Sequence, residues 1–510
     1  MKKGILLIAI LLCSPLHATE TLWARDIAVE NVATLFSGGQ GKITLDIGWR
    51  DSWRRGAEPA NWDAAWVFVK YRLKGAASGP WRHATLNNKE EEYAVGKANP
   101  IPAAFRTSKD GKGFFIFRAE EGTGDIRWAD LMIPWDIKAD DLSPDETFEV
   151  RVFALEMVYI PEGSFLLGDG ASQGTFHAGG HPERAYRVGA EPILFKNAEG
   201  GLWADASQGD LPTGTKAPSA WDAPSGSLSR EYPSGYPPFY VMKYEITQGQ
   251  YAAFLNTLGQ SQAERRYPDT GAGKFRFTIV PDSDGMYSTP TPARACNWLN
   301  WEDGIAFADW AALRPMTELE FEKACRGKGP SVPGEYAWGT TKIVSMTGFQ
   351  GQDGSGSETA VPEDANTLYL KTVMGPVRVG IFEGKETREL SGTSYYGVPD
   401  LSGNVIEMAV TLGNPAGRQF TGNHGDGELA GNGDADVPLW PRVGMSPLIM
   451  ATEIGTGGFG YRGGDFYNPE ADLRVSDRHV AAFHSGRRLF GLGFRAVRSA
   501  PGAWHGESSD

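Results

Sequence analysis

Apolar and polar residues alternate along the first third of the chain. In KITLDIGWR, Ile43, Leu45 and Ile47 alternate with polar or small residues, and a period of two places them on one face of a strand. Glycine-rich turns separate three further runs of β-branched and aromatic residues: AWVFVKYRL (65–73), GFFIFRAE (113–120) and TFEVRVFAL (147–155). Short strands separated by turns predict an all-β sandwich domain over residues 19–153.

Helical patterns occur only in the second half of the chain. TQGQYAAFLNTL (247–258) begins with Thr247, a residue type that caps helices. Two more helices are predicted over Trp301–Leu313 and Thr317–Arg326, and the second opens with a T-x-x-E capping box that ends at Glu320. The rest of the second half reads as short strands and loops, so the predicted fold class is α+β.

Composition indicates a loop-rich protein of two domains. The 510 residues can bury a large core, and 65 glycines, 32 prolines and 16 tryptophans favour short elements and aromatic packing. No linker follows residue 155, so the second domain, predicted over 154–500, is expected to pack rigidly on the first. Within it, residues 170–235 are rich in Gly, Pro, Ser and Ala and are predicted to be an insertion. Residues 501–510 are predicted to be a disordered tail.

The N-terminus has the pattern of a secretory signal over residues 1–18. Two lysines precede a short apolar run, which ends in the cleavage-like triplet Leu16-His17-Ala18. The mature protein is therefore expected to be secreted, periplasmic or on the cell surface. No other segment is apolar enough to predict a membrane span. The net charge of −14 disfavours nucleic acid as a partner.

Only Cys296 and Cys325 remain after such a cleavage. At most one disulfide bond can form, which excludes a disulfide framework and a cysteine-rich zinc site.

Six segments, in order, resemble the formylglycine-generating (sulfatase-modifying) enzyme family. They are MVYIPEGSFLLGD, PPFYVMKYEITQGQYAAFLN, NWEDGIAFADWAALRPMTELEFEKACRG with the YAWGT that follows it, GVPDLSGNVIEM, RGGDF and GFRAVR. The resemblance covers roughly two thirds of the chain, from about Glu156 to Arg498. It implies a loop-rich variant of the C-type lectin fold for the sulfatase-modifying-factor domain.

The same resemblance argues against the family's oxidase chemistry. The catalytic members carry two redox cysteines after the R-G-G-S turn, and the matching positions here are Asn468 and Leu473, with Asp465 in place of the serine. Neither residue can hold Cu(I) or exchange with a thiol. We therefore expect no catalytic residue of this kind and no copper. Cys325 matches a structural cysteine whose partner position is Arg478, so it is expected to be a buried free thiol.

Other relatives use non-haem iron held by histidines. A site made of His479, His484 and Asp477 would have suitable ligands, but the two histidines are five residues apart in irregular structure. Iron is not expected.

The resemblance also implies a structural calcium site. Its ligands would be Asp400, Gly403, Val405 and Glu407, of which the glycine and valine contribute backbone carbonyl oxygens. Hard oxygen ligands suit calcium. The alternative is a turn in which Asp400 caps backbone groups and Glu407 forms a salt bridge.

The closing segment is predicted to present a ligand-binding face, because aromatic and arginine side chains anchor binding surfaces. Its predicted residues are Phe466, Tyr467, Asn468, Arg474, Arg478, His479 and Arg487, with Arg488 beside them. The alternative is that the arginines pair with the chain's excess carboxylates. The favoured function is an exported binding or scaffold protein for a protein or glycan ligand. A family metal-dependent oxidoreductase with an altered site and a component of a surface or secretion assembly remain alternatives.

Overall fold

The structure is a computed structural model and describes residues 27–37, 40–74, 80–143, 146–204, 221, 225–443, 458–483 and 485–502. The predicted signal segment, residues 503–510 of the predicted tail and His484 lie outside the described residues. Within them, strands outnumber helices, which confirms an α+β, sheet-rich fold.

Eight strands occupy the first 160 residues: β1 Ala28–Ser37, β2 Gln40–Arg54, β3 Asp63–Leu73, β4 Arg82–His83, β5 Ala103–Thr107, β6 Phe114–Arg118, β7 Gly122–Trp135 and β8 Phe148–Ile160. Strands β1, β2 and β7 form an antiparallel three-stranded sheet. Its inner face includes Ile43, Leu45 and Ile47, each at most 1% exposed, and these pack in one core with residues of β3, β6 and β8. The alternation in KITLDIGWR thus marks a buried face as predicted.

The later strands are short: β9 Phe165–Leu167, β10 Phe176–Ala178, β11 Tyr186–Val188, β12 Leu194–Phe195, β13 Leu202–Ala204, β14 Gly226–Ser227, β15 Phe239–Met242, β16 Val280–Pro281, β17 Tyr287–Ser288, β18 Arg314–Pro315, β19 Gly348–Gln350, β20 Thr359–Val361, β21 Ile406–Val410, β22 Phe459–Arg462, β23 Leu492–Gly493 and β24 Ala496–Ser499. Five of them, β10 to β14, lie in the segment predicted to be an insertion. Phe176, Phe195 and Leu202 in that segment are buried in the largest core, so its described part is packed structure.

One large sheet joins the two halves of the chain. Its strand order is β18-β24-β15-β8-β3-β6-β5, with β4 paired to β3. Strand β8 pairs with β3 along eleven residues and with β15 along four. The predicted boundary between residues 153 and 154 therefore falls inside a strand that both halves share.

The helices are α1 Gln248–Leu255, α2 Gln260–Arg266, α3 Trp301–Trp310, α4 Glu318–Arg326, α5 Arg388–Ser391 and α6 Pro415–Arg418, and 3₁₀ turns lie at Glu90–Glu92, Asp269–Gly271 and Glu470–Leu473. Thr247 and Thr317 accept the backbone N–H groups of Gln250 and Glu320, so both predicted caps are confirmed. Each cap contributes on the order of 1 kcal/mol. Within the described residues, no helix is long and apolar enough to cross a membrane.

Candidate functional site

A glycine pair leads from β22 into the turn that the resemblance marks as functional. Gly463 and Gly464 have φ values of 81° and 65°. A Cβ atom on Gly463 would lie 2.6 Å from Oε2 of Glu407, and one on Gly464 would lie 2.6 Å from Cδ1 of Leu473. Only glycine fits both the conformation and the space. The pair delivers the chain to residues 465–468, here called the Asn468 turn.

Asn468 closes this turn with its whole side chain. Its Oδ1 accepts the backbone N–H of Asp465 at 3.0 Å, and its Nδ2 donates to Oδ2 of Asp472 at 3.0 Å. Oδ1 of Asp465 in turn accepts the backbone N–H groups of Tyr467 and Asn468, both at 2.9 Å. Burial of the Asp465 carboxyl raises its pKa to about 7. Asn468 is thus a structural residue of the turn.

Leu473, the second position that matches a family cysteine, is fully buried against Tyr336 and Trp338.

The described thiols are inaccessible. Cys296 and Cys325 are free and fully buried, as predicted for Cys325. Burial raises the pKa of both thiols, so neither has the lowered pKa that makes a cysteine nucleophilic.

His479 lies behind the Asn468 turn between two carboxylates. Its Nδ1 is 2.5 Å from Oδ1 of Asp477, and its Nε2 is 3.9 Å from Oδ2 of Asp472. Burial opposes a charged imidazole, but the hydrogen bond to Asp477 and the two negative charges outweigh it and raise the pKa of His479. Burial also raises the pKa of Asp472 to about 6. The two neighbouring carboxylates thus favour the protonated form of the imidazole.

Two residues of the predicted ligand face are fully buried. Phe466 is fully buried between Phe275 and Phe490, with ring centres 6.1 and 5.9 Å away. Arg478 is also fully buried. Its Nε donates to Oε2 of Glu318 at 2.7 Å, and its guanidinium stacks 3.8 Å from the ring centre of Phe176. The prediction that both belong to an exposed face is wrong, because apolar packing and a buried carboxylate claim their side chains.

The other predicted residues differ in exposure. His479 is 8% exposed. Tyr467, Asn468 and Arg474 are half-buried, and Arg487 is exposed. Nζ of Lys371 lies 3.9 Å above the ring of Tyr467. Arg488 is held by Asp303, with its Nε 2.7 Å from Oδ2, so it follows the alternative reading in which an arginine pairs with a carboxylate.

Two exposed apolar side chains lie on a segment whose first residues contact the backbone of the Asn468 turn. Leu370 and Met374 are 56% and 49% exposed. The backbone N–H of Leu370 donates to the Asn468 carbonyl at 3.0 Å, and that of Lys371 donates to the Phe466 carbonyl at 2.8 Å. This segment was not among the predicted site residues, because no local pattern relates residue 370 to residue 468.

Residues 400–407, here called the carboxylate loop, contain the four predicted calcium ligands. Asp400 and Gly403 have φ values of 60° and 99°, which fold the loop tightly. Oδ2 of Asp400 accepts the backbone N–H of Gly380 at 2.7 Å, and Oε1 of Glu407 accepts Nη2 of Arg495 at 3.1 Å. Both contacts agree with the alternative of a capped and salt-bridged turn.

The buried surroundings of the carboxylate loop nevertheless contain more carboxyl groups than guanidinium groups. Oε2 of Glu407 is buried and has no hydrogen-bond partner within the described residues. Burial raises the pKa of Glu407 to about 8 and that of Asp400 to about 6. Glu245 adds a third buried carboxylate, which accepts Nδ2 of Asn404 at 2.7 Å. An unpartnered oxygen among three buried carboxylates and one arginine fits a hard cation.

A separate acidic group lies on the glycine-rich loop after residue 420. Oxygen atoms of Asp309, Asp426 and Asp436 all lie within 4.8 Å of one another. Oδ1 and Oδ2 of Asp309 accept the backbone N–H groups of Asp426 and Asp436, both at 3.1 Å. Asp309 therefore anchors this loop to α3.

Comparison with known proteins agrees with these features. Residues 145–500, more than half of the chain, match the model of the Sulfatase-modifying factor enzyme 1-like domain. A formylglycine-generating enzyme of Thermomonospora curvata is 27% identical over 126 residues, which cover 20% of this chain and 41% of that protein. The formylglycine-generating enzyme of Bos taurus is 23% identical over 169 residues, or 26% of this chain and 45% of that protein. The match spans less than half the length of each relative. With the domain match over most of its length, the chain belongs to the sulfatase-modifying factor enzyme family.

Proposed function

We propose that this chain is an exported binding protein that recognises a protein or glycan with the surface around the Asn468 turn, without thiol redox chemistry. The supporting observation is how the protein uses the two positions that carry cysteines in the catalytic relatives. Both polar atoms of the Asn468 side chain form hydrogen bonds within the turn or to Asp472, and Leu473 is fully buried. A substrate thiol would meet no reactive partner at either position.

The surface beside the turn has the composition of an interface. Tyr467 and Arg474 supply an aromatic ring and a guanidinium, and Arg487 adds an exposed positive charge. The exposed side chains of Leu370 and Met374 add apolar area next to them. Aromatic, arginine and apolar side chains in one patch are typical of protein-binding surfaces.

Calcium bound at the carboxylate loop would stabilise this surface. Asp400 and Glu407 would hold the ion with their carboxylates, and Gly403 and Val405 would offer backbone carbonyl oxygens. The ion would supply positive charge to the unpartnered oxygen of Glu407 and rigidify the loop. Because Gly463 abuts that same carboxylate, the effect would extend to the Asn468 turn.

The N-terminal region would serve as the platform of the secreted protein. In this proposal the sheet of β1, β2 and β7 and the large sheet form the two layers of the predicted sandwich, which share the core around Trp128 and Ile133. The family domain continues from its second layer through β8. The lectin-like arrangement of that domain belongs to the same proposal.

The triple variant Tyr467→Ala, Arg474→Ala, Arg487→Ala tests the proposed surface. We expect it to keep the melting temperature within a few degrees of the parent and to lose binding on a glycan array and an immobilised peptide library. The matched core variant Phe494→Ala should unfold, because Phe494 is fully buried and packs on Gly304. Unchanged binding by a folded triple variant would refute the proposed surface.

A second candidate is a metal-dependent enzyme with an altered site. It is favoured by the relatives, which are formylglycine-generating enzymes, and by His479, which lies next to Asp472 behind the turn. Incubation with a cysteine-bearing sulfatase peptide, with and without copper, separates the two proposals. We expect no formylglycine by mass spectrometry above a control without protein, and a clear aldehyde product would replace the binding proposal with the enzymatic one.

A further inference from the structure

A cleft of about 330 Å³ opens at one end of the large sheet, where residues of both halves of the chain meet. Its walls include Arg54, Trp62 and Arg106 from the N-terminal half and Tyr159, Glu162 and Tyr240 from the family domain. None of its lining residues belongs to the Asn468 turn or to the carboxylate loop. The volume lies in the range of small-molecule sites.

Aromatic rings from β6, β8 and β15, and from Trp62 immediately before β3, form a ladder along this cleft. The ring of Trp62 is nearly parallel to those of Tyr159 and Phe117, with ring centres 3.9 and 5.2 Å away. Tyr240 is paired with Tyr159 across β15 and β8, and their ring centres are 5.2 Å apart. Phe117 and Tyr240 are buried, whereas Trp62 and Tyr159 are partly exposed. Two aromatic side chains are therefore presented to the cleft.

Arg54 places a fixed positive charge over the ladder. Its Nη1 donates to the carbonyls of Arg118 and Ala119 at 2.6 and 2.9 Å, and its Cζ lies 5.2 Å from the ring centre of Trp62. No carboxylate of the described residues forms an ion pair with it, whereas Arg106 at the same cleft is paired with Glu90 at 2.9 Å. A half-buried guanidinium that is held by backbone and lacks a counter-ion is suited to recognise an anion.

We propose that this cleft binds a sugar residue that carries a carboxylate, that is, a hexuronic acid. The carboxylate pairs with Arg54, and the apolar C–H face of the sugar ring packs on the exposed side of the Trp62–Tyr159 stack. The exposed carboxylate of Glu162 and the hydroxyl of Tyr159 are placed to hydrogen-bond sugar hydroxyl groups, whose donors and acceptors a purely apolar ligand lacks. The site is independent of the surface at the Asn468 turn.

Titration with glucuronate, galacturonate and glucose tests the cleft. Ligand-observed NMR and calorimetry on the purified chain should detect at least one uronate, bound at least tenfold more tightly than glucose. The variant Arg54→Gln should weaken the uronate at least tenfold and leave the weak glucose signal unchanged. Tyr159→Ala should weaken both sugars, and Tyr159→Phe should weaken them less.

The control variant is Arg127→Gln, because Arg127 is exposed and pairs with Glu30 away from the cleft. It should bind the uronate like the parent. If Arg54→Gln does not fold, as judged by its melting curve, Arg54→Lys takes its place and should weaken the uronate severalfold, since lysine cannot form the bidentate pair. Absence of uronate binding at 10 mM, equal affinity for glucose, or full binding by the Arg54 variant would each overturn the proposal.

Discussion

Two buried charge clusters of the family domain are built in opposite ways. The first, the arginine–glutamate cluster, comprises Glu318, Glu322, Glu335, Arg326, Arg462 and Arg478, that is, three carboxylates and three guanidinium groups. The second, the carboxylate cluster, comprises Glu245, Asp400, Glu407 and Arg495, that is, three carboxylates and one guanidinium group. Both are withdrawn from water. They differ in whether the protein itself supplies the balancing charge.

The difference in balancing charge changes the pKa of a glutamate in each cluster. Burial raises the pKa of Glu318, but Arg478 and Arg462 more than offset it, so the pKa ends below its usual value. Burial likewise raises the pKa of Glu407, and there Arg495 alone does not compensate, so the value reaches about 8. The arginine–glutamate cluster thus balances its three carboxylates with three guanidinium groups of its own. The carboxylate cluster needs protons or a bound cation to balance its excess of carboxyl groups.

The largest effect should come from breaking the complete cluster. Glu318→Ala leaves two buried guanidinium groups without their shared partner, and we expect the free energy of unfolding to fall by about 3–5 kcal/mol. Urea denaturation measures it. The control Glu30→Ala, which removes a surface ion pair with Arg127, should leave the midpoint unchanged. A similar small effect for Glu318→Ala would show that the cluster is not buried as described.

A smaller effect is expected at Asp465, a buried carboxyl without an arginine partner. Its pKa of about 7 exceeds the unfolded value of about 3.9, so the folded state keeps a proton that the unfolded chain loses between pH 4 and 7. Stability from this group therefore falls as the pH rises through that window. Asp465→Asn should raise the free energy of unfolding at pH 8 by on the order of 2 kcal/mol and have little effect at pH 4. Equal effects at both pH values would contradict the buried, protonated carboxyl.

The smallest effect is expected at Cys325, whose thiol pKa is influenced by charged groups of both clusters. Glu407 and Arg462 both act on its thiol, and burial raises its pKa. Cys325→Ala should cost about 1 kcal/mol, because only the sulfur atom is lost from a packed site. In the native parent, the two described thiols should resist a thiol reagent until the protein is unfolded by urea. Rapid labelling of Cys325 before unfolding would show that this part of α4 is accessible.

Local patterns predicted the local structure well. The alternation around Ile43 marks a buried strand face, and the capping boxes at Thr247 and Thr317 start helices at the next residue. These features depend on neighbours within a few positions. The same holds for Gly463 and Gly464, where the resemblance and the geometry agree.

Long-range contacts could not be predicted in this way. Arg478 looks like a surface residue until Glu318, 160 positions earlier, is placed beside it. The burial of Phe466 and the position of Leu370 beside the Asn468 turn were missed for the same reason, because both depend on segments distant in sequence. The pairing of β8 with both β3 and β15 was likewise not predictable, since a strand that pairs on both sides reads like any other apolar run.

Calcium titration by calorimetry tests most directly whether the carboxylate cluster is completed by a cation. After treatment with a chelator, the parent should bind about one calcium ion per chain, and its melting temperature should rise with calcium concentration. Glu407→Gln should bind none and should melt no lower than the parent when both are free of calcium, because the variant lacks the uncompensated charge. Glu389→Gln, whose side chain pairs with Lys342 near the surface, should bind like the parent. Lack of binding and of any thermal shift in the parent would contradict the account and leave residues 400–407 as a turn held by hydrogen bonds alone.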